Sequence, residues 1–264
     1  MGAAPNTSAA NMSAANMSSA NTSAVQVCMV VGAGSGVTTT LAGPLAANGY
    51  AVALVSDEPA DPQGEKNITL VPCKFESRAG VDSAFDEAVA RFGTPQLLVL
   101  SMIPASLMRA GGIDEVLSEL WTETLQAAAL GTLHALQAGH RLLQGSGGTI
   151  VLVGPALSLV GASGFCALST LLEAQRALAK SAARQWGRLG IRVHWIALGC
   201  AGNYGELDLA SIPVGPELGP LPPALGRVPG TMDIAPLIAF LGSSGASFLT
   251  GTTLVADGGN WMVP

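Results

Sequence analysis

The strongest constraint on the fold lies between residues 25 and 55. Val25 to Val31 (VQVCMVV) is a continuous apolar run that ends in the glycine turn Gly32 to Gly36 (GAGSG). A helical pattern covers 39–48, Gly49 closes it, and Tyr50 to Val55 (YAVALV) is apolar again. A strand buried on both faces, a glycine turn, a helix and a second such strand make a βαβ unit, whose crossover is right-handed. The alternation continues, with strands predicted over 68–72, 96–101, 148–153, 191–197 and 254–256 and helices over 80–92, 114–143 and 163–188. This pattern predicts an α/β, Rossmann-type doubly wound parallel sheet with helices on both faces.

A chain of 264 residues, 49% hydrophobic and only 11% charged, suits one such domain, placed at 25–264. Residues 1–24 read differently. They repeat with a period of five, and each unit begins at an Asn (Asn6, Asn11, Asn16, Asn21) in an Asn-x-Ser sequence. Small polar residues bury too little surface to offset chain entropy, so a disordered leader is expected there. The leader has no basic start and no apolar centre, unlike a secretion signal. A net charge of −6, with no basic residue before Lys66, excludes a nucleic-acid binder. No apolar run reaches the ~18 residues that a membrane span requires. Cys28, Cys73, Cys166 and Cys200 are far apart, which predicts reduced, mostly buried thiols in a cytoplasmic protein.

Further stretches make the glycine turn specific. Asp233 to Gly242 (DIAPLIAFLG) and Ser247 to Gly259 (SFLTGTTLVADGG) resemble the C-terminal signature of short-chain dehydrogenases. Gly147 to Val153 (GGTIVLV) is similar to that family's fifth strand, and Gly190 to Ala197 (GIRVHWIA) to its sixth. The resemblance runs from residue 25 to the end. It implies a seven-stranded sheet, a nicotinamide cofactor, a dimer or tetramer, and a catalytic Asn-Ser-Tyr-Lys set.

Carried across one at a time, those catalytic positions hold other residues. The Tyr that would exchange the substrate proton falls on Leu168, and the Lys that would lower its pKa falls on Leu172. The Ser position holds Pro155, with Ser158 three residues on, and the Asn position holds Ala128. The only tyrosines are Tyr50 and Tyr204; neither begins a Tyr-x-x-x-Lys, and neither serves the wider spacing of some enoyl reductases.

The family's glycine fingerprint is also altered. Gly32, Gly34 and Gly36 remain in the turn, but Thr38 stands at the third glycine, adding bulk where a pyrophosphate and helix approach. Ser101, Met102 and Ile103 lie in the family's Asn-Asn-Ala-Gly stretch, and Lys74 replaces the adenine-reading Asp. Asp57 follows the second strand, where an acid can bind a ribose diol or open a polar turn. No tightly bound cofactor is expected, and NAD is expected through a partner. His134, His140 and His194 have no acidic neighbours at metal spacing, so no metal is expected either. Glu173 and Arg176 are spaced to pair on one helix face.

Three functions remain. The leading expectation is a silent subunit that assembles with an intact dehydrogenase as a heterotetramer, or with itself; heteromeric relatives in benzylsuccinyl-CoA degradation are the precedent. Ala167, Leu171, Ala174, Leu178 and Ala182 are read as its packing face, against the alternative that they cover the sheet. Trp261 to Pro264 would reach towards the partner's pocket. The second is a ligand-binding or regulatory protein using the remnant cleft. The third is an oxidoreductase with unconventional residues, Ser158, Tyr204 or Asp208, the last two in the lid segment 202–230.

Overall fold

A computed structural model describes residues 25–33, 36–57, 67–200, 203–204 and 223–262. Seven parallel strands stand in the order β3-β2-β1-β4-β5-β6-β7. They are β1 (Gln26–Ala33), β2 (Tyr50–Ser56), β3 (Ile68–Pro72), β4 (Leu97–Met102), β5 (Gly148–Pro155), β6 (Ile191–Leu198) and β7 (Thr253–Ala256). The doubly wound architecture expected from the alternation is the one observed. Its strand order reverses between β1 and β4, which opens a crevice at their carboxyl ends.

The helices are α1 (Gly36–Ala47), α2 (Arg78–Phe92), α3 (Gln126–Leu143), the single turn α4 (Leu157–Val160), α5 (Cys166–Trp186) and α6 (Thr231–Gly242). Two differ from expectation. The region from 114 starts late: Ile113 to Glu115 form a turn after Gly111–Gly112, and a wide turn at Leu120–Leu125 precedes α3. Helix α5 begins at Cys166 instead of 163 because Gly164 has φ +83°, outside the right-handed helical region.

The packing face proposed for α5 is corrected in part. Ala167, Leu171 and Ala182 are buried within the chain, and only Ala174 and Leu178 are partly exposed. With one apolar stripe and a sheet to cover, the helix spends most of that stripe on its own core. Glu173 and Arg176 do pair. Trp261 also turns inward: it packs on the core, and its amide donates to Asp257 Oδ2 at 2.8 Å.

Candidate functional site

The crevice at the carboxyl edge divides into two sides with different histories. On the first, Gly32 of β1 is registered with Ser56 of β2 and Ser101 of β4. Thr38, in the first turn of α1, is 2% exposed and aims its side chain at Gly32. A β-carbon built on Gly32 would lie 1.9 Å from Thr38 Oγ1 and 2.6 Å from the Ser101 carbonyl oxygen. The expected obstruction is therefore misplaced. The extra bulk occupies space left by a glycine between helix and sheet, and Gly36 at the start of α1 is exposed, with room for a β-carbon among the described residues.

Asp57 stands just beyond β2 and is exposed. Cys73, at the end of β3, has its thiol pushed up to about 12, first by burial and then by the carboxylates of Asp57 and Glu76. Asp57 therefore sits at the carboxyl end of β2, close enough to Cys73 after β3 to act on its thiol. Gly34 and Asp208 lie outside the described residues.

On the second side, every catalytic position has become core. Leu168 and Leu172 on α5 are fully buried, Pro155 ends β5 and is buried, and Ala128 on α3 is 7% exposed. Leu172 meets the indole of Trp195 over Gly154. A β-carbon on that glycine would lie 2.6 Å from the ring and 2.8 Å from Leu172 Cδ2. The glycine makes room for the pair. Behind them, Gln175 Nε2 donates to the Met102 carbonyl at 2.8 Å and to Thr132 Oγ1 at 2.9 Å, tying α5 to β4 and α3. Buried amides need such partners, and this one rigidifies the centre. Neither Gln175 nor Trp195 was singled out from the sequence. Gln175 was detectable in principle as a polar residue on the stripe Leu168, Leu171, Leu172, Ala179.

The unconventional candidates fare unequally. Ser158 is half-buried in α4. Tyr204 is 1% exposed, its hydroxyl has no partner among the described residues, and burial raises its pKa well above the ordinary phenol range. A sealed phenol of that kind is a poor proton donor to a substrate. The histidines are structural in their contacts. His134 Nδ1 lies 3.1 Å from the Phe75 carbonyl, the His140 ring lies tilted against Trp186 at 4.8 Å, and His194 Nδ1 lies 2.7 Å from Thr252 Oγ1. Among the described residues no group of three His, Cys, Asp or Glu could hold a metal, and no helix is long and apolar enough to cross a membrane.

A doubly wound sheet whose strand order reverses between β1 and β4, with an acid after β2, is the architecture of the nucleotide-binding α/β class. Residues 32–260 match the family model described as enoyl-(acyl carrier protein) reductase, and the chain belongs to the short-chain dehydrogenase/reductase family. It is 27% identical to trans-4-hydroxycyclohexanecarboxylate dehydrogenase of Sinomonas cyclohexanicum, covering 89% of this chain and 93% of that one. It is 29% identical to human 3-oxoacyl-[acyl-carrier-protein] reductase, covering 90% and 99%. In fold it is similar to a 3-ketoacyl-(acyl-carrier-protein) reductase from Brucella melitensis solved with NADH (TM-score 0.73, 20% identity, 89% and 98% covered). Sorbitol-6-phosphate 2-dehydrogenase of Erwinia amylovora gives a TM-score of 0.76 at 21% identity, with 90% and 100% covered.

The family implies a nicotinamide dinucleotide, and only half of the crevice fits one. The open end of α1 and Asp57 suit a pyrophosphate and a ribose. At the other half, Leu172 offers no cation for the second ribose, and Leu168 no acid for the substrate. The residues do not fit a dinucleotide held for hydride transfer.

Proposed function

We propose that this chain is a catalytically silent short-chain dehydrogenase subunit that assembles with and stabilises an intact, NAD(P)-dependent relative. One observation carries the reading: Leu168 and Leu172, at the acid and the ammonium of the family's chemistry, are packed as core side chains. Neither hydrocarbon side chain can exchange a proton. The nicotinamide cofactor, on this reading, is held by the partner, and the assembly works in the cytoplasm.

Two apolar faces support assembly. Among the described residues strand β7 pairs only with β6, and Phe248, Leu249 and Val255 are exposed beside that open edge. Ile113, Leu117, Trp121 and Leu130 are exposed on and before α3. Open edges and contiguous apolar patches are uncommon on monomers. Co-expression with an intact Tyr-x-x-x-Lys dehydrogenase from the same genome tests the proposal. A stable mixed oligomer is expected; recovery of separate homo-oligomers only would refute it.

A further inference from the structure

We propose that the turn at 247–252, between α6 and β7, is an acid-released latch, held on β6 by the neutral ring of His194 and freed when that ring becomes an imidazolium. The turn lies along β6. The Gly251 amide donates to the Val193 carbonyl at 2.7 Å, the Val193 amide to Thr250 Oγ1 at 3.1 Å, and the Trp195 amide to the Thr252 carbonyl at 2.9 Å. His194 stands between Val193 and Trp195, is fully buried, and places Nδ1 2.7 Å from Thr252 Oγ1.

The second ring nitrogen, Nε2, is buried with no partner among the described residues. In either neutral tautomer the ring bonds Thr252 through Nδ1 and leaves Nε2 unused. Protonation puts an N–H on both nitrogens, so Nε2 becomes a buried donor without an acceptor on a ring that is now charged. No carboxylate faces it. Neighbouring strand residues point to opposite faces, and Trp195 meets Leu172 of α5, so His194 faces away from α5 and towards the end of α6. On that side α6 carries one acid, Asp233, which is exposed in its first turn and paired with Arg227. Helix α1, β5 and residues 243–256 hold no charged residue, and Tyr50 of β2 approaches Gly242. The charge nearby is Arg192, two residues back on the same face, whose guanidinium donates to the carbonyls of Gly242, Ser243 and Ala246. Burial first, and then this like charge, lower His194 to about 4 from 6.5, while the Leu249 carbonyl pulls weakly the other way.

A charged ring is accommodated by reaching water, and the turn is its weakest cover. Residues 247–250 are all exposed, so they give no side chain to the core, and opening them costs less than unfolding the sheet. Phe248 and Leu249 belong to the apolar edge beside β7, so acid reshapes that edge while the rest of the domain stands. This device is independent of whether the chain is catalytically silent.

Hydrogen exchange of the full chain at pH 7 and pH 4.5, corrected for the intrinsic rate, tests it. Amides at 247–252, Gly251 above all, should lose protection by more than about tenfold at pH 4.5, while β4 and β5 keep theirs. His194→Asn, which cannot take up the proton, should abolish that loss. Thr252→Val removes the ring's partner and should leave the turn open already at pH 7. Equal protection of the turn at both pH values, loss in step with β4 and β5, or a loss that persists in His194→Asn would overturn the latch. A Thr252→Val turn as protected at pH 7 as the unaltered chain would overturn it too.

Discussion

The two sides of the crevice both carry replacements at family positions, yet the replacements pack in different ways. At Gly32 the unexpected threonine is absorbed between helix and sheet, and Gly36 at the start of α1 remains exposed. At Leu168 and Leu172 the unexpected residues are drawn into a packed unit with Trp195, Gly154 and Gln175. The number of substitutions is thus a poor measure of damage. What decides is whether the new side chain fills a void the backbone already had, or converts a solvated pocket into core.

This contrast is open to attack, beginning where the largest effect is expected. Gly32→Ala puts a methyl into Thr38 and the Ser101 carbonyl. Backbone must move, and overpacking of this kind costs about 3 kcal/mol. For a domain of this size that lowers Tm by ~6–12 °C in a thermal melt. Adding Thr38→Gly should restore part of it, the Ser101 carbonyl remaining in the way; no rescue would show that the two residues are not one unit.

Next is the double variant Leu168→Tyr, Leu172→Lys. If the reacting side were merely missing two groups, this would restore turnover. The packing against Trp195 predicts no NAD(P)H oxidation and a lower Tm, because an ammonium placed there is buried without a partner. The simpler Leu172→Ala should cost about 2–4 kcal/mol by urea unfolding, the usual penalty for a core cavity.

Acid titration probes the far end of the sheet. Burial and the nearby Arg192 lower His194 to about 4 from an ordinary 6.5. The unfolded chain therefore binds a proton between those values that the folded chain refuses. Its contribution is fully present above pH 6.5 and is lost as pH falls towards 4. Urea midpoints should decline over that window, and His194→Asn should flatten the decline. The smallest effect is expected at the exposed Arg227–Asp233 pair, with N–O distances of 2.6 and 2.7 Å. Arg227→Ala should change Tm by no more than about 2 °C, since exposed pairs are weak.

The sheet was legible in the sequence because period and composition alone separate doubly buried strands from helices. Strand β3 was read to the residue, and the others within two residues at either end. Helix starts were less legible. The delay before α3 depends on how Gly111 and Gly112 direct the chain, and that is tertiary context. At the site, the missing Tyr and Lys could be read from register, but the direction of Thr38 could not. A third-glycine substitution looks identical on paper whether its side chain points at a ligand or at Gly32. Gln175 was missed for a related reason: helical spacing shows that it faces inward, and only the neighbouring Met102 carbonyl and Thr132 show why it is tolerated.

On the proposed reading, no described group of this chain exchanges a proton beside a hydride acceptor. The direct measurement is NADH and NADPH oxidation by the pure chain against a panel of ketones and enoyl thioesters. The account predicts rates equal to buffer. Turnover that disappears on Ser158→Ala or Tyr204→Phe would contradict it.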